Sequence, residues 1–241
     1  MSLTEHNDNN SRPEKGADIE ISAPYYTWIM TAGLIVVFLC QLSVGVPDSI
    51  QLVSFDKQAF LNHQEMWRLL TGLVTHGSLP HIFFNAYAMF SFGRLVETLS
   101  NRSHLPTIFF ISGISGSLLS LLLNPTVPVI GASGGIIGML GYVAIYALKR
   151  KQFLDPAFRR SIFVNIGFIA VFGLLLFDVV DNYGHLGGIV AGALYGLVQI
   201  PSDPAVDPRP VSSIMDGVGF VGLGAFIALC TFTSLYLLNI I

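Results

Sequence analysis

The chain has 241 residues, 52% hydrophobic and only 11% charged, with a positive mean hydropathy. A soluble domain carries about 25% charged residues, and here the apolar residues cluster into runs long enough to cross a bilayer, about 20 residues per helix. The composition is that of a polytopic membrane protein, and the net charge of −3 gives no sign of a nucleic-acid partner.

Residues 1–23 are polar, mixed in charge and lack an apolar core, so they read as a cytoplasmic tail rather than a signal peptide. Seven spans are predicted: roughly 24–46, ended by Pro47; 79–98; 105–123; 133–148; 161–180; 184–200; and 214–238. About 30 loop residues containing "MWRLL" separate the first two. "NPTVPV" breaks the chain before the fourth, "KRKQFLDPAFRR" reads as a basic loop, and "PSDPAVDPRP" as a Pro-rich linker. The predicted organisation is a tail (1–23), a six-span core (24–200), a linker (201–213) and a C-terminal transmembrane helix (214–241). Cys40 and Cys230 lie inside apolar runs and read as small core residues.

With a cytoplasmic N-terminus, ten Lys and Arg residues lie inside, and only Lys57 and Arg68 lie outside. The cluster at 149–160 carries most of that bias. The C-terminus is then extracytoplasmic, and the plasma membrane is the expected location.

Ser133 lies 16 residues before Lys149, His185 16 before Pro201, and His81 16 before Glu97. Each therefore sits about 24 Å above the inner boundary of a layer about 30 Å thick. Asn85 is one turn deeper than His81 on the same face. Polar groups at membrane depth mark function, and this set could be a metal or heme site, a proton path or a catalytic centre. The surroundings of the serine discriminate. In "PVIGASGGIIGMLGYVAIYALKRK" Ser133 opens a helix, so its N–H is an unpaired donor at the positive end of the helix dipole. Such a donor suits an oxyanion, and His185 is the base at matching depth. Gly184, Gly188, Gly192 and Gly196 recur every fourth residue, and Gly134, Gly138 and Gly141 offer a facing stripe, so close packing of the fourth and sixth spans is expected.

These residues resemble the rhomboid intramembrane serine proteases. "GASG" with Ser133 is similar to the family's GxSG nucleophile motif, and "GHLGG" with His185 to its base-bearing helix. "HGSLPHIFFN" resembles HxxxxHxxxN, with His76, His81 and Asn85 in place, while Trp67–Arg68 and Glu97 match further family positions. The resemblance covers roughly residues 60–200. It implies an all-α six-helix core plus one C-terminal helix and a catalytic Ser133–His185 dyad without an acidic third member. It also implies an oxyanion hole from the Ser133 N–H, His81 and Asn85. Ile137 departs from members that carry an aromatic there.

Other polar residues read as structural. Asp181 is expected to be solvated at the outer end of the fifth span, and Arg94 with Glu97 to form a surface pair. His76 reads either as an interfacial ring or as a ring that shapes the cavity without doing chemistry, and His6, His63 and His104 as solvent or loop residues. The expected activity is a serine endopeptidase, with single-span transmembrane proteins as substrates, lipid as surroundings, and neither cofactor nor metal. The alternatives are a non-proteolytic rhomboid-like chaperone or adaptor, and a metal or heme site on His76, His81 and His185, which leaves the GASG turn unexplained.

Overall fold

A computed structural model describes residues 23–175 and 180–240. Among the described residues all regular structure is helical, apart from a single bridge between Phe55 and Val129. The helices are α1 (Tyr25–Val44), α2 (Val46–Val53), α3 (Lys57–Asn62), α4 (Arg68–Thr71) and α5 (Leu79–Leu99). They continue with α6 (His104–Leu123), α7 (Ser133–Lys149), α8 (Pro156–Leu175), α9 (Asn182–Gln199) and α10 (Ser213–Leu237). The fold is a polytopic helical bundle, with seven long helices among the described residues. Among the described residues α1, α6 and α10 are each long and apolar enough to cross a membrane by length and composition, and α7 is a shorter apolar helix.

Local chemistry sets the helix ends. Gly45, at φ +99°, ends α1, and Pro47 lies in the first turn of α2, so the proline opens a helix instead of closing one. Ser78 accepts the His81 N–H and caps α5; Ser212 caps α10 through Met215 N–H. The basic 149–160 segment is not a loop. Lys149 ends α7, residues 151–153 form one 3₁₀ turn, and Asp155 accepts the Ala157 and Phe158 N–H groups so that α8 starts at Pro156. The region between α1 and α5 likewise holds three short helices. Arg68 anchors it, pairing with Glu65 and donating to the carbonyls of Gln51 (3.0 Å) and Ser54 (3.3 Å). Trp67 rests on Phe232 and Tyr236 of α10.

Glu97 does not pair with Arg94. It accepts the backbone N–H and the hydroxyl of Thr27 at the start of α1 (2.6 Å each), while Arg94 lies over the Phe90 ring. His104 is buried and bonds to the Tyr195 hydroxyl (2.8 Å), because α6 starts against α9 rather than in solvent. His63 is exposed, and His6 lies outside the described residues. Cys40 is partly buried and Cys230 buried, both as free thiols.

The centre of the bundle is α7, most of whose residues are buried. A Cβ on Gly188 would fall on the Gly134 carbonyl, and one on Gly192 on the Gly138 carbonyl, so α7 and α9 meet backbone to backbone. On its other side α9 meets α6: a Cβ on Gly187 would lie 2.9 Å from Gly116 Cα. Gly192→Val should therefore lower the thermal midpoint in detergent by several degrees, as overpacking costs about 1–3 kcal/mol. Gly224→Ala, where a Cβ meets nothing within 4 Å, should leave it unchanged or higher.

Candidate active site

The segment entering α7 is held by backbone bonds to the region between α1 and α5. Phe55 and Val129 exchange N–H···O bonds (3.0 and 3.1 Å), and the Gly131 N–H donates to the Gly72 carbonyl (2.9 Å). Gly131 then turns the chain with φ +111°, and Ser133 becomes the first helical residue. Its N–H therefore has no carbonyl partner inside the helix.

His185 is the fourth residue of α9. The glycine contacts bring that helix against α7, and His185 Nε2 lies 2.9 Å from Ser133 Oγ, both groups partly buried. A hydroxyl and an imidazole stand within hydrogen-bond reach, the geometry that a nucleophile and its base require.

His81 is the third residue of α5. Its Nδ1 faces the Gly77 N–H (3.3 Å). A backbone amide only donates, so Nδ1 accepts and the neutral ring carries its proton on Nε2. That Nε2 faces the turn before Ser133: a Cβ on Gly131 would lie 2.7 Å from it. Asn85 is buried one turn further along, and its Nδ2 donates to the His81 carbonyl (3.0 Å). His76 is not an interfacial ring. It is fully buried, edge-on to His81 at 5.2 Å, with its backbone N–H and carbonyl both bonded to the Gln41 amide.

Asp181 is not simply solvated. It precedes α9 and accepts the Gly184 N–H (3.0 Å) and the Ser120 hydroxyl (2.9 Å). The Ser133 crevice is also lined by Gly113 and Ser117 of α6, which sequence reasoning passed over. The small residues Ser112, Gly113, Gly116, Ser117 and Ser120 carried the signal, a stripe at helical spacing that marks close helix contact. Among the described residues no group of three His, Cys, Asp or Glu side chains could hold a metal ion.

A serine at a helix N-terminus beside a histidine, inside a polytopic helical bundle, defines the class: a membrane protein with the groups of a serine hydrolase site. Residues 63–202, more than half of the chain, match the Rhomboid domain. The chain is 32% identical over 225 residues to the rhomboid protease GluP of Bacillus subtilis (strain 168), covering 88% of this chain and 43% of that protein. RHOMBOID-like protein 1 of Arabidopsis thaliana is 31% identical over 163 residues, 63% of this chain and 40% of that protein. The inactive rhomboid-related protein 2 of Caenorhabditis elegans is 29% identical over 174 residues, 69% and 49%. This chain thus spans less than half the length of each of these relatives. The chain belongs to the rhomboid family.

Gly131→Ala should disturb this site without touching a reactive group. The left-handed backbone costs an alanine about 1–3 kcal/mol, and its methyl would displace the His81 ring. The expected result is slower modification of Ser133 by a fluorophosphonate, read as a rate constant on the folded protein.

Proposed function

We propose that this protein is an intramembrane serine endopeptidase that cuts transmembrane segments near their extracytoplasmic end. The observation that carries the reading is the 2.9 Å approach of His185 Nε2 to Ser133 Oγ at the N-terminus of a buried helix. Family membership alone does not settle activity, since one relative is named as inactive. The chain keeps both the serine and the histidine, in contact.

In the proposed mechanism His185 Nε2 takes the Ser133 proton as Oγ attacks the scissile carbonyl. The tetrahedral oxyanion is met by the Ser133 N–H and by His81 Nε2–H. The Asn85 amide joins them by turning from the His81 carbonyl. Each such donor is worth about 10²–10³ in rate. His185 then protonates the leaving amine, the amine departs, and the same histidine activates the water that hydrolyses the acyl-enzyme. No cofactor or metal is needed for these steps.

Orientation follows from charge. Lys149, Arg150 and Arg209 belong to the bundle end opposite Ser133, where Arg150 donates to the Asp203 carbonyl and Asn101 to the Arg209 carbonyl. We assign that end to the cytoplasm, which leaves the N-terminus inside, the C-terminus outside and Ser133 towards the extracytoplasmic face. The expected setting is the plasma membrane, with residues 1–23 as a cytoplasmic tail and α10 appended to a six-span core.

Labelling by a fluorophosphonate tests the activity class. The wild type should be modified, and Ser133→Ala should be inert while still folding. His185→Ala should be as damaging as Ser133→Ala, and the double variant no worse, because a nucleophile and its base act as one unit. Additive losses would argue for independent roles, and an unmodified wild type for the chaperone or adaptor reading.

The substrate expectation follows from the backbone. A transmembrane helix hides its carbonyls in its own hydrogen bonds, so a substrate must unwind to meet Ser133. Gly or Pro lowers that cost by about 1–3 kcal/mol relative to Ala. A single-span protein with such residues just downstream of a small residue should be cut near its extracytoplasmic boundary. Replacing the helix breakers by Leu should suppress cleavage, measured as product formed in liposomes.

A further inference from the structure

A second polar chain lies outside the Ser133–His185 pair. It begins at Lys57, the first residue of α3, which is only 2% exposed. Burying an ammonium is costly unless its protons find acceptors. Lys57 Nζ donates to the Ser120 carbonyl (3.1 Å), the Ser120 hydroxyl (2.9 Å) and the Asn124 carbonyl (2.5 Å). All lie at the C-terminal end of α6, where a cation complements the helix dipole. Burial pushes the Lys57 ammonium below its ordinary pKa, and the Asp181 carboxylate opposes that shift.

The Ser120 hydroxyl accepts from Lys57, so its own proton is free to go to Asp181 Oδ1 (2.9 Å). The same Oδ1 accepts the Gly184 N–H (3.0 Å), and the His185 N–H donates to the Asp181 carbonyl (3.0 Å). A cation–hydroxyl–carboxylate chain thus runs from α3 across α6 to the first turn of α9, ending beside His185. Gly184 permits this closure, because a Cβ there would lie 2.9 Å from Asp181 Cγ. Capping alone does not require it: Ser78 and Ser212 cap α5 and α10 with a hydroxyl, and Asp56 and Asp155 cap α3 and α8 with a carboxylate oxygen bonded to amides of their own helix. At α9 the capping oxygen is also tied to Ser120 of α6 and, through it, to Lys57 of α3.

We propose that Asp181 is a positioning residue for His185: through Ser120 and Lys57 it tethers the first turn of α9 to α6 and α3, and so holds the imidazole in reach of Ser133. This rests on the dyad reading above. It is not drawn as a triad: Oδ1 takes the α9 amide and Ser120, Oδ2 is buried without a hydrogen-bond partner among the described residues, and the ring bond of His185 goes to Ser133. A displacement of about 1 Å in such a geometry can cost about 10²-fold in rate, so the tether should show in the rate of the Ser133 reaction.

The test is the rate constant and the endpoint of fluorophosphonate labelling of the full chain in detergent, with thermal unfolding alongside. Asp181→Ser still caps the helix but is one atom too short to reach Ser120 as well. It should label about tenfold or more slowly, with an unchanged endpoint. Asp181→Asn keeps an oxygen for both partners and should stay within about threefold of wild type. Ser120→Ala, which leaves the cap intact, should slow labelling as Asp181→Ser does, and the two changes together should be no slower than either alone. A wild-type rate in Asp181→Ser, or a loss confined to the endpoint, overturns the proposal and leaves Asp181 a simple cap. If Asp181→Ser does not fold, Ser120→Ala decides: slow labelling supports the tether and a wild-type rate overturns it. An unlabelled wild type overturns the dyad and the tether with it, whereas a labelled wild type matched by Asp181→Ser overturns the tether alone.

Discussion

The contact on which the rest depends is the approach of α7 to α9, where the carbonyls of Gly134 and Gly138 meet the Cα atoms of Gly188 and Gly192. In a bilayer there is no hydrophobic force to press two apolar helices together. Association rests on dispersion between closely fitted backbones, which small residues allow. Ser133 and His185 both sit in the first turn of these helices, so the interaxial distance becomes the distance between hydroxyl and imidazole. Glycine is needed at these positions because any side chain would separate the two groups.

The region between α1 and α5 is the second constraint. Buried backbone polar groups outside regular helices need partners, and here they have them. Arg68 takes up two carbonyls, Thr71 donates to Val53 O (2.7 Å), and Gly72 and Phe55 bond the strand-like segment before Ser133. This scaffold holds Gly131 in its left-handed conformation and so aims Ser133. Trp67, stacked beneath Arg68 and against α10, extends the scaffold to the seventh long helix.

The opposite end is closed by different means. Lys149 Nζ bonds the Leu197 carbonyl (2.6 Å) and the Ile200 carbonyl (2.7 Å), which complements the C-terminal dipole of α9. Ser100 pairs with Tyr142 (2.7 Å) and His104 with Tyr195. Lys149 therefore pins α7 to the end of α9, Ser100 ties α7 to the end of α5, His104 ties α9 to α6, and glycines pack α7 on α9 along their length.

Much of this was legible in the sequence. Long apolar runs set six of the long helices to within two residues, because a helix in lipid must satisfy its own backbone and needs only length and apolarity to be recognised; the fifth span, expected at 161–180, starts five residues earlier at Pro156, and residues 176–179 lie outside the described residues. Glycine at every fourth residue marked the α7–α9 seam, and equal distances from the expected inner boundary put Ser133, His81 and His185 at one expected depth. Legibility failed where a side chain's partner lies far along the chain. Glu97 finds Thr27 seventy residues away, His104 finds Tyr195, and Lys57 finds Ser120, and no local pattern announces these pairs. Asp155 followed by Pro156 is a local start signal for α8 inside the segment read as a basic loop. By itself the sequence determined which segments form the long helices and raised the expectation that certain polar groups share a level, since both follow from local composition and a fixed rise per residue. Only the tertiary structure decided that His185 meets Ser133 while Asp181 turns to Gly184 and Ser120, because rotation about a helix axis is set by packing against neighbours and not by depth.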